Sequence, residues 1–188
     1  TKGITLEEVA NEHASEFKYP ILLAKVNNVI TELNRPITED AEIEFLDLTS
    51  PEGNRCHISG LTYILLCAVK KLYGRKANIV VQHSLDKGIY IETNFKVNKD
   101  KVKEIKETMN QISLAAMPIT KVMIDRIEAI NYFTKLEDYA KAGILKYNTN
   151  TYITLYRLGN YYNYFYNPMT ISTDRIKDFD LTYLRDNG

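Results

Sequence analysis

Few residues in this chain can do chemistry. Of its two cysteines and three histidines, Cys56, His57, Cys67 and His83 fall where a nucleophile, a base or a metal ligand could be assembled. Ser59, Tyr63 and Cys67 stand four apart, so on a helix they form one polar line. A thiol and an imidazole on such a line could carry acyl transfer or hold zinc. The spacing completes neither device. A Cys56/His57 metal pair needs two more ligands that nothing nearby supplies. Cys67 therefore reads as a small buried hydrophobe. His57 reads as a capping or surface residue ahead of the helix, His83 as a turn residue at a strand end, and His13 as part of an earlier helix. The basic set Lys70, Lys71, Arg75 and Lys76 could touch phosphates. More often such a set is a solvated helix end, where the dipole favours cations, and the neutral net charge supports that. Seven of the fourteen tyrosines lie between Tyr147 and Tyr166. They suit either a base-stacking surface or a sheet packed through aromatic pairs, and the second is the plainer reading.

These residues need a frame. Leu61, Ile64, Leu65, Ala68, Val69 and Leu72 recur at helical spacing and predict a central buried helix. Ser59 is its expected N-cap and Gly74 its expected left-handed end. Upstream, Ile4 to Phe17 reads as a helix capped by Thr5. Ile21 to Val26 and Val29 to Leu33 read as strands around an Asn27-Asn28 turn, with a third strand in Ala41 to Leu48. Ser50-Pro51-Glu52-Gly53 reads as a turn and a domain boundary. Downstream, strands are expected at Ile79 to Val81 and Ile89 to Phe95, around a turn at Ser84 to Gly88. A helix follows from Asn98 to about Ala116, stopped by Pro118. A strand from Ile119 to Ile124 leads into an Asp125/Glu128 capping box and a helix through Phe133. A further helix is expected from Leu136 to Ala142, ending at Gly143. Strands are expected at Tyr152 to Arg157, Tyr161 to Tyr166 and Phe179 to Tyr183.

The totals narrow the setting. Lys+Arg and Asp+Glu are 24 each, so no global field steers the chain to nucleic acid or membrane. The apolar run Ile64 to Val69 is far too short to span a bilayer. No leader is visible, and two cysteines eleven residues apart on one helix, about 16 Å at 1.5 Å per residue, do not bridge. A reducing cytoplasm is the simpler expectation. The chain opens on Thr1 rather than Met, which suggests that it has been trimmed.

Two stretches resemble known modules. Ala24, Lys25, Val26, Asn27, Leu33, Pro36, Asp40, Glu42 and Ile43 make residues 1–52 similar to a TGS domain, the small β-grasp module of threonyl-tRNA synthetases. The hairpin that precedes the helix in that family is missing here, which implies a truncated β-grasp. Residues 53–188 resemble the second N-terminal domain of the same synthetases, an editing domain. Four segments agree in order. They are SGLTYILLCAVKKLYG, LDKGIYIE from Leu85 to Glu92, the helix from Glu128 to Phe133, and GNYYNYFYNPMTISTDRIKDFDL from Gly159. In the last, Gly159, Pro168, Ser172-Thr173, Arg175-Ile176-Lys177 and Phe179 keep the family spacing. The implied fold class is α+β, with the central helix buried against antiparallel sheet.

The resemblance also implies where chemistry should sit. The family carries His-x-x-x-His on the central helix and Cys-x-x-x-His in the last β segment. Laid over this chain, these fall on Ser59 and Tyr63, and on Phe165 and Met169. None of the four keeps a His or Cys, and Phe cannot bind a metal while Met is a weak zinc ligand. No general base is left there. The implied module is non-catalytic, with a ligand cleft at most at Ser59, Tyr63, Cys67, Phe165 and Met169, no metal and no cofactor. A degenerate editing domain behind TGS is also similar to the front of some bacterial uridine-kinase-like proteins. That implies a regulatory module with a downstream kinase domain, which would use ATP and Mg, and a nucleoside, nucleotide or tRNA as partner. No G-x-x-x-x-G-K-[S/T] occurs in these residues. Two other readings stay open. One is an editing deacylase rebuilt on Cys67 or His57. The other is a tRNA-binding module using the tyrosines and the Lys70–Lys76 cluster.

Overall fold

The computed structural model describes residues 3–85, 88–186 and 188. The first unit begins with α1 (Leu6–Glu12), which Thr5 and Glu8 close in a reciprocal capping box. It is shorter than the expected helix, because His13 ends it and a single 3-10 turn follows at Ala14–Glu16. Strands β1 (Leu23–Val26), β2 (Val29–Glu32) and β3 (Ile43–Leu46) form an antiparallel sheet in the order β2-β1-β3. Asn27 and Asn28 both take positive φ, 49° and 64°, the backbone a two-residue hairpin needs. Leu6, Ala10, Ile21, Ala24 and Leu33 make the small core between helix and sheet.

The central helix α2 (Pro51–Tyr73) starts eight residues ahead of the expected Ser59 cap. Ser50 is the N-cap, its hydroxyl oxygen accepting from the Gly53 N–H at 3.1 Å, and Pro51 opens the first turn. The Ser-Pro-Glu-Gly cluster is thus a helix start rather than a turn, the arrangement in which Pro has no donor to lose. Gly53 is required there, since a Cβ would lie 1.8 Å from the Asp47 carbonyl oxygen. Cys56, His57 and Ser59 are therefore inside the helix, not ahead of it. Gly74 ends it at φ 95° as expected.

Beyond α2, β4 (Ile79–Leu85) and β5 (Gly88–Thr93) form an antiparallel hairpin. The centre of the turn expected at 84–88, residues 86 and 87, lies outside the described residues. His83 sits within β4 rather than in a turn, its ring 5.3 Å from that of Tyr90. Helix α3 (Lys99–Leu114), capped by Asn98, packs on α2. Strands β6 (Ile119–Asp125), β7 (Tyr152–Leu158) and β8 (Tyr161–Asn163) form the third antiparallel sheet, in that order. Between β6 and β7 lie α4 (Arg126–Lys135), capped by Asp125, and α5 (Tyr139–Lys146). The helix expected to end at Gly143 is displaced. Leu136 closes α4, Glu137 turns the chain at φ 61°, and Asp138 caps a helix that runs through Gly143.

The last part differs most from expectation. β8 stops at Asn163 rather than continuing to Tyr166, and residues 179–183 pair with no strand among the described residues. That segment instead lies across α2 and α3, with Phe179 and Leu181 packed on the main core. This core centres on Ile64, Ala68 and Val69 of α2 and also takes in Leu22, Leu23 and Leu46 of the first unit. The fold is α+β, with one long helix facing all of its sheets. No helix of the described residues is long and apolar enough to cross a membrane.

Candidate functional site

Tyr63 and Phe165 meet on the side of α2 that faces β7 and β8. Tyr63 is fully buried there. Its hydroxyl lies 2.7 Å from the Tyr156 carbonyl oxygen and 2.9 Å from that of Tyr161. Its one proton serves one carbonyl at a time, and the pair fixes the ring from both strands. The Phe165 ring lies 5.1 Å from it, tilted by 50°, and Tyr156 meets the far edge of Phe165 at 6.3 Å. Such packed aromatic contacts each add about 0.5–1.5 kcal/mol beyond the area they bury. Met169 is buried at 1 % exposure, and its N–H donates to Glu32 Oε1 at 3.0 Å. Three of the four positions that resemble the family's ligands, Tyr63, Phe165 and Met169, are thus spent on packing. Ser59 lies half-buried one turn before Tyr63. Beside it, Gly60 lets the chain at Thr170 and Ile176 close onto α2, since a Cβ would meet the Ile176 side chain at 2.7 Å.

Protonation follows from this burial. Burial lifts the Tyr63 phenol far above its ordinary value. It pushes the Cys67 thiol up to about 12, against a smaller pull from Lys70. Cys56 is raised further, by burial and then by the Glu32 carboxylate. Both thiols therefore stay protonated near neutral pH, and the thiolate is the nucleophile. Counting 100° per residue, His57 projects about 120° around the helix from Tyr63. It cannot serve as a base there. Among the described residues, no three His, Cys, Asp or Glu side chains converge as metal ligands would.

The basic cluster divides. Lys70 is buried, and its ammonium donates to the carbonyls of Arg75 at 2.7 Å and Ala77 at 3.0 Å. It ties down the chain after its own helix rather than facing solvent. Burial lowers its proton affinity, and Asp138 partly restores it. Lys76 is exposed and paired with Glu137. Lys71 and Arg75 are exposed. The tyrosines divide too. Tyr156 is buried and Tyr132 meets Tyr162 edge-on at 5.4 Å, whereas Tyr147 and Tyr166 are 89 % and 91 % exposed.

Sequence reasoning missed Glu32. This carboxylate, at 8 % exposure, leaves the end of β2 and enters the second unit. Oε1 accepts from the Tyr156 hydroxyl and the Met169 N–H, and Oε2 lies 3.2 Å from the Lys121 ammonium. Arg175 makes the matching contact in reverse, donating to the Ile21 carbonyl at 3.0 Å and to Asn11 Oδ1 at 3.0 Å. A glutamate that closes a hairpin strand gives no local signal that two of its partners lie 124 and 137 residues away.

Curated relatives that match this sequence include threonine–tRNA ligases. No family model matches the chain. The threonine–tRNA ligase of Staphylococcus carnosus is 30% identical over 182 residues, 96% of this chain and 28% of that protein. Those of Syntrophotalea carbinolica and an Exiguobacterium species are 28% identical over 162 residues and 26% over 184. These matches cover 85% and 95% of this chain, and 25% and 28% of the relatives. The chain thus spans about a quarter of the length of the curated relatives it matches. It is similar to threonyl-tRNA synthetases over most of its own length.

Proposed function

We propose that this chain is a non-catalytic binding or regulatory module derived from the editing region of a threonyl-tRNA synthetase. The observation that carries this reading is the Tyr63 cluster. A phenol held by two carbonyls and covered by Phe165 occupies the place where the resemblance puts a metal ligand or a base. The thiols nearest to it are held protonated by burial. In its finer form, the module stands ahead of a uridine- or nucleoside-kinase domain that uses ATP and Mg, in the cytoplasm, and tunes that activity. The resemblance to kinase-linked proteins and the loss of all four site residues support this form. Incubating the chain with seryl- and threonyl-tRNA, with and without zinc, tests the core reading. The expected result is hydrolysis at the background rate; deacylation above background overturns it. ATP-dependent uridine phosphorylation by the full-length gene product tests the kinase link.

A second reading has its own support. Similarity to ligases named for their tRNA, with Lys71 and Arg75 exposed beside the helix end, favours retained tRNA binding. Here tRNA is held without hydrolysis, and affinity falls steeply with salt as phosphate contacts release counterions. Filter binding between 50 and 200 mM salt, on the order used for such contacts, distinguishes the readings. A flat response removes the second.

A further inference from the structure

On the side of α2 away from Tyr63 the helix does not close against its neighbours. A hollow of about 590 Å³ lies there. His57, Leu61 and Leu65 of α2, Ile89 and Ile91 of β5, Met109 of α3 and residues 178–181 line it. A second hollow of about 290 Å³ continues from it, sharing Leu65, Ile89, Ile91 and Leu181. Sites for small molecules run from roughly 300 to 1,000 Å³ and combine apolar walls with a few placed polar groups.

The polar groups here share one character. His57 is nine-tenths buried, and its Nδ1 has no hydrogen-bond partner among the described residues. A buried polar atom left without a partner is uncommon and calls for a cause. Burial lowers its proton affinity, with the Asp178 charge acting the other way, and the neutral ring has one nitrogen that can accept a hydrogen bond from a ligand N–H. Asp178, an exposed residue of the lining, takes a left-handed conformation, φ 58°. It makes no hydrogen bond or ion pair among the described residues. Asp180 beside it is held by Lys106 at 2.6 Å. The described lining contains no Lys or Arg. The Asp178 carboxylate in this lining repels anions and attracts cations.

We propose that this hollow binds a small amine. Its apolar body sits between α2 and β5, and its N–H groups meet the Asp178 carboxylate and the His57 imidazole. The site is across α2 from the Tyr63 cluster, so amine binding does not depend on whether that cluster deacylates tRNA. The two tests read different signals.

The test titrates the chain with phenethylamine and isoamylamine, and with 3-phenylpropionate as an anion of the same body. Calorimetry gives affinity, and the ring signals of His57 and the methyl signal of Met109 give location. The amines are expected to shift both signals and to bind at least about fivefold more tightly than the acid. Asp178→Asn, which keeps a residue that tolerates positive φ, should weaken the amines about fivefold while the melting temperature holds. Equal binding of the acid overturns the proposal. So do unchanged His57 and Met109 signals at millimolar amine, and an Asp178→Asn chain that binds amines as well as before.

Discussion

The two faces of α2 have opposite fates. On one, Tyr63, Phe165 and Tyr156 fill the space that the synthetase resemblance marks as an editing cleft. On the other, His57 and Leu61 border a hollow of about 590 Å³. Both faces belong to one helix, within a few residues of each other. At the positions that the resemblance marks, large aromatic residues pack as core, whereas the volume left open stands where the sequence has no motif.

The sharpest break of this comparison is at Tyr63. Tyr63→Ala removes a fully buried ring and should cost about 3–5 kcal/mol in chemical denaturation. Tyr63→Phe keeps the ring but leaves the Tyr156 and Tyr161 carbonyls without that hydroxyl, and should cost about 1–3 kcal/mol. If both variants are near neutral, the cleft is not core and the proposed inertness loses its basis. Next is thiol accessibility. Cys56 and Cys67 should resist alkylation at pH 8 in the folded chain and both react in denaturant, because burial raises both thiols. Fast native labelling of Cys67 would reopen the rebuilt-deacylase reading.

The hollow face should respond more gently. In a close-packed face, Leu61→Phe would cost about 1–3 kcal/mol. Beside an open volume it should be neutral or add up to about 1 kcal/mol, read from the denaturation midpoint. The smallest effect concerns His57. Burial holds its folded proton affinity below the ordinary value of 6.5. As pH falls through that value, the unfolded chain takes the proton first, and stability falls. Above it neither state is charged and the effect vanishes. His57→Gln should therefore flatten the loss of melting temperature between about pH 7.5 and 5.5. An unchanged slope would mean that His57 is not held neutral.

Much of this frame was legible in the residues. Asn27-Asn28 announced a hairpin, Thr5 with Glu8 and Asp125 with Glu128 announced helix starts, and the stripe from Leu61 to Leu72 announced the buried helix. The misread places have a common cause. Ser50 to Gly53 carries turn residues, and only the Asp47 carbonyl pressed against Gly53 shows why a glycine belongs in the first helical turn. Residues 179–183 have strand composition but pair with no strand among the described residues, and Phe179 and Leu181 pack on the main core instead. Ser59, Tyr63, Phe165 and Met169 could be placed only through resemblance. The roles of Lys70 and Glu32 depend on partners that local spacing does not name.

Glu32 and Arg175 cross between the two units in opposite directions, each hydrogen-bonded to groups of the other. The covalent link near Asp47 to Ser50 is therefore not what keeps the first fifty residues in place. Cut there, the chain should remain a nicked pair that elutes as one species. Produced separately, the two pieces should behave as complementary fragments. Each would lack what it needs to be stable alone: Glu32, Leu22 and Leu23 would lose their cover, and Tyr156 and Met169 their acceptor.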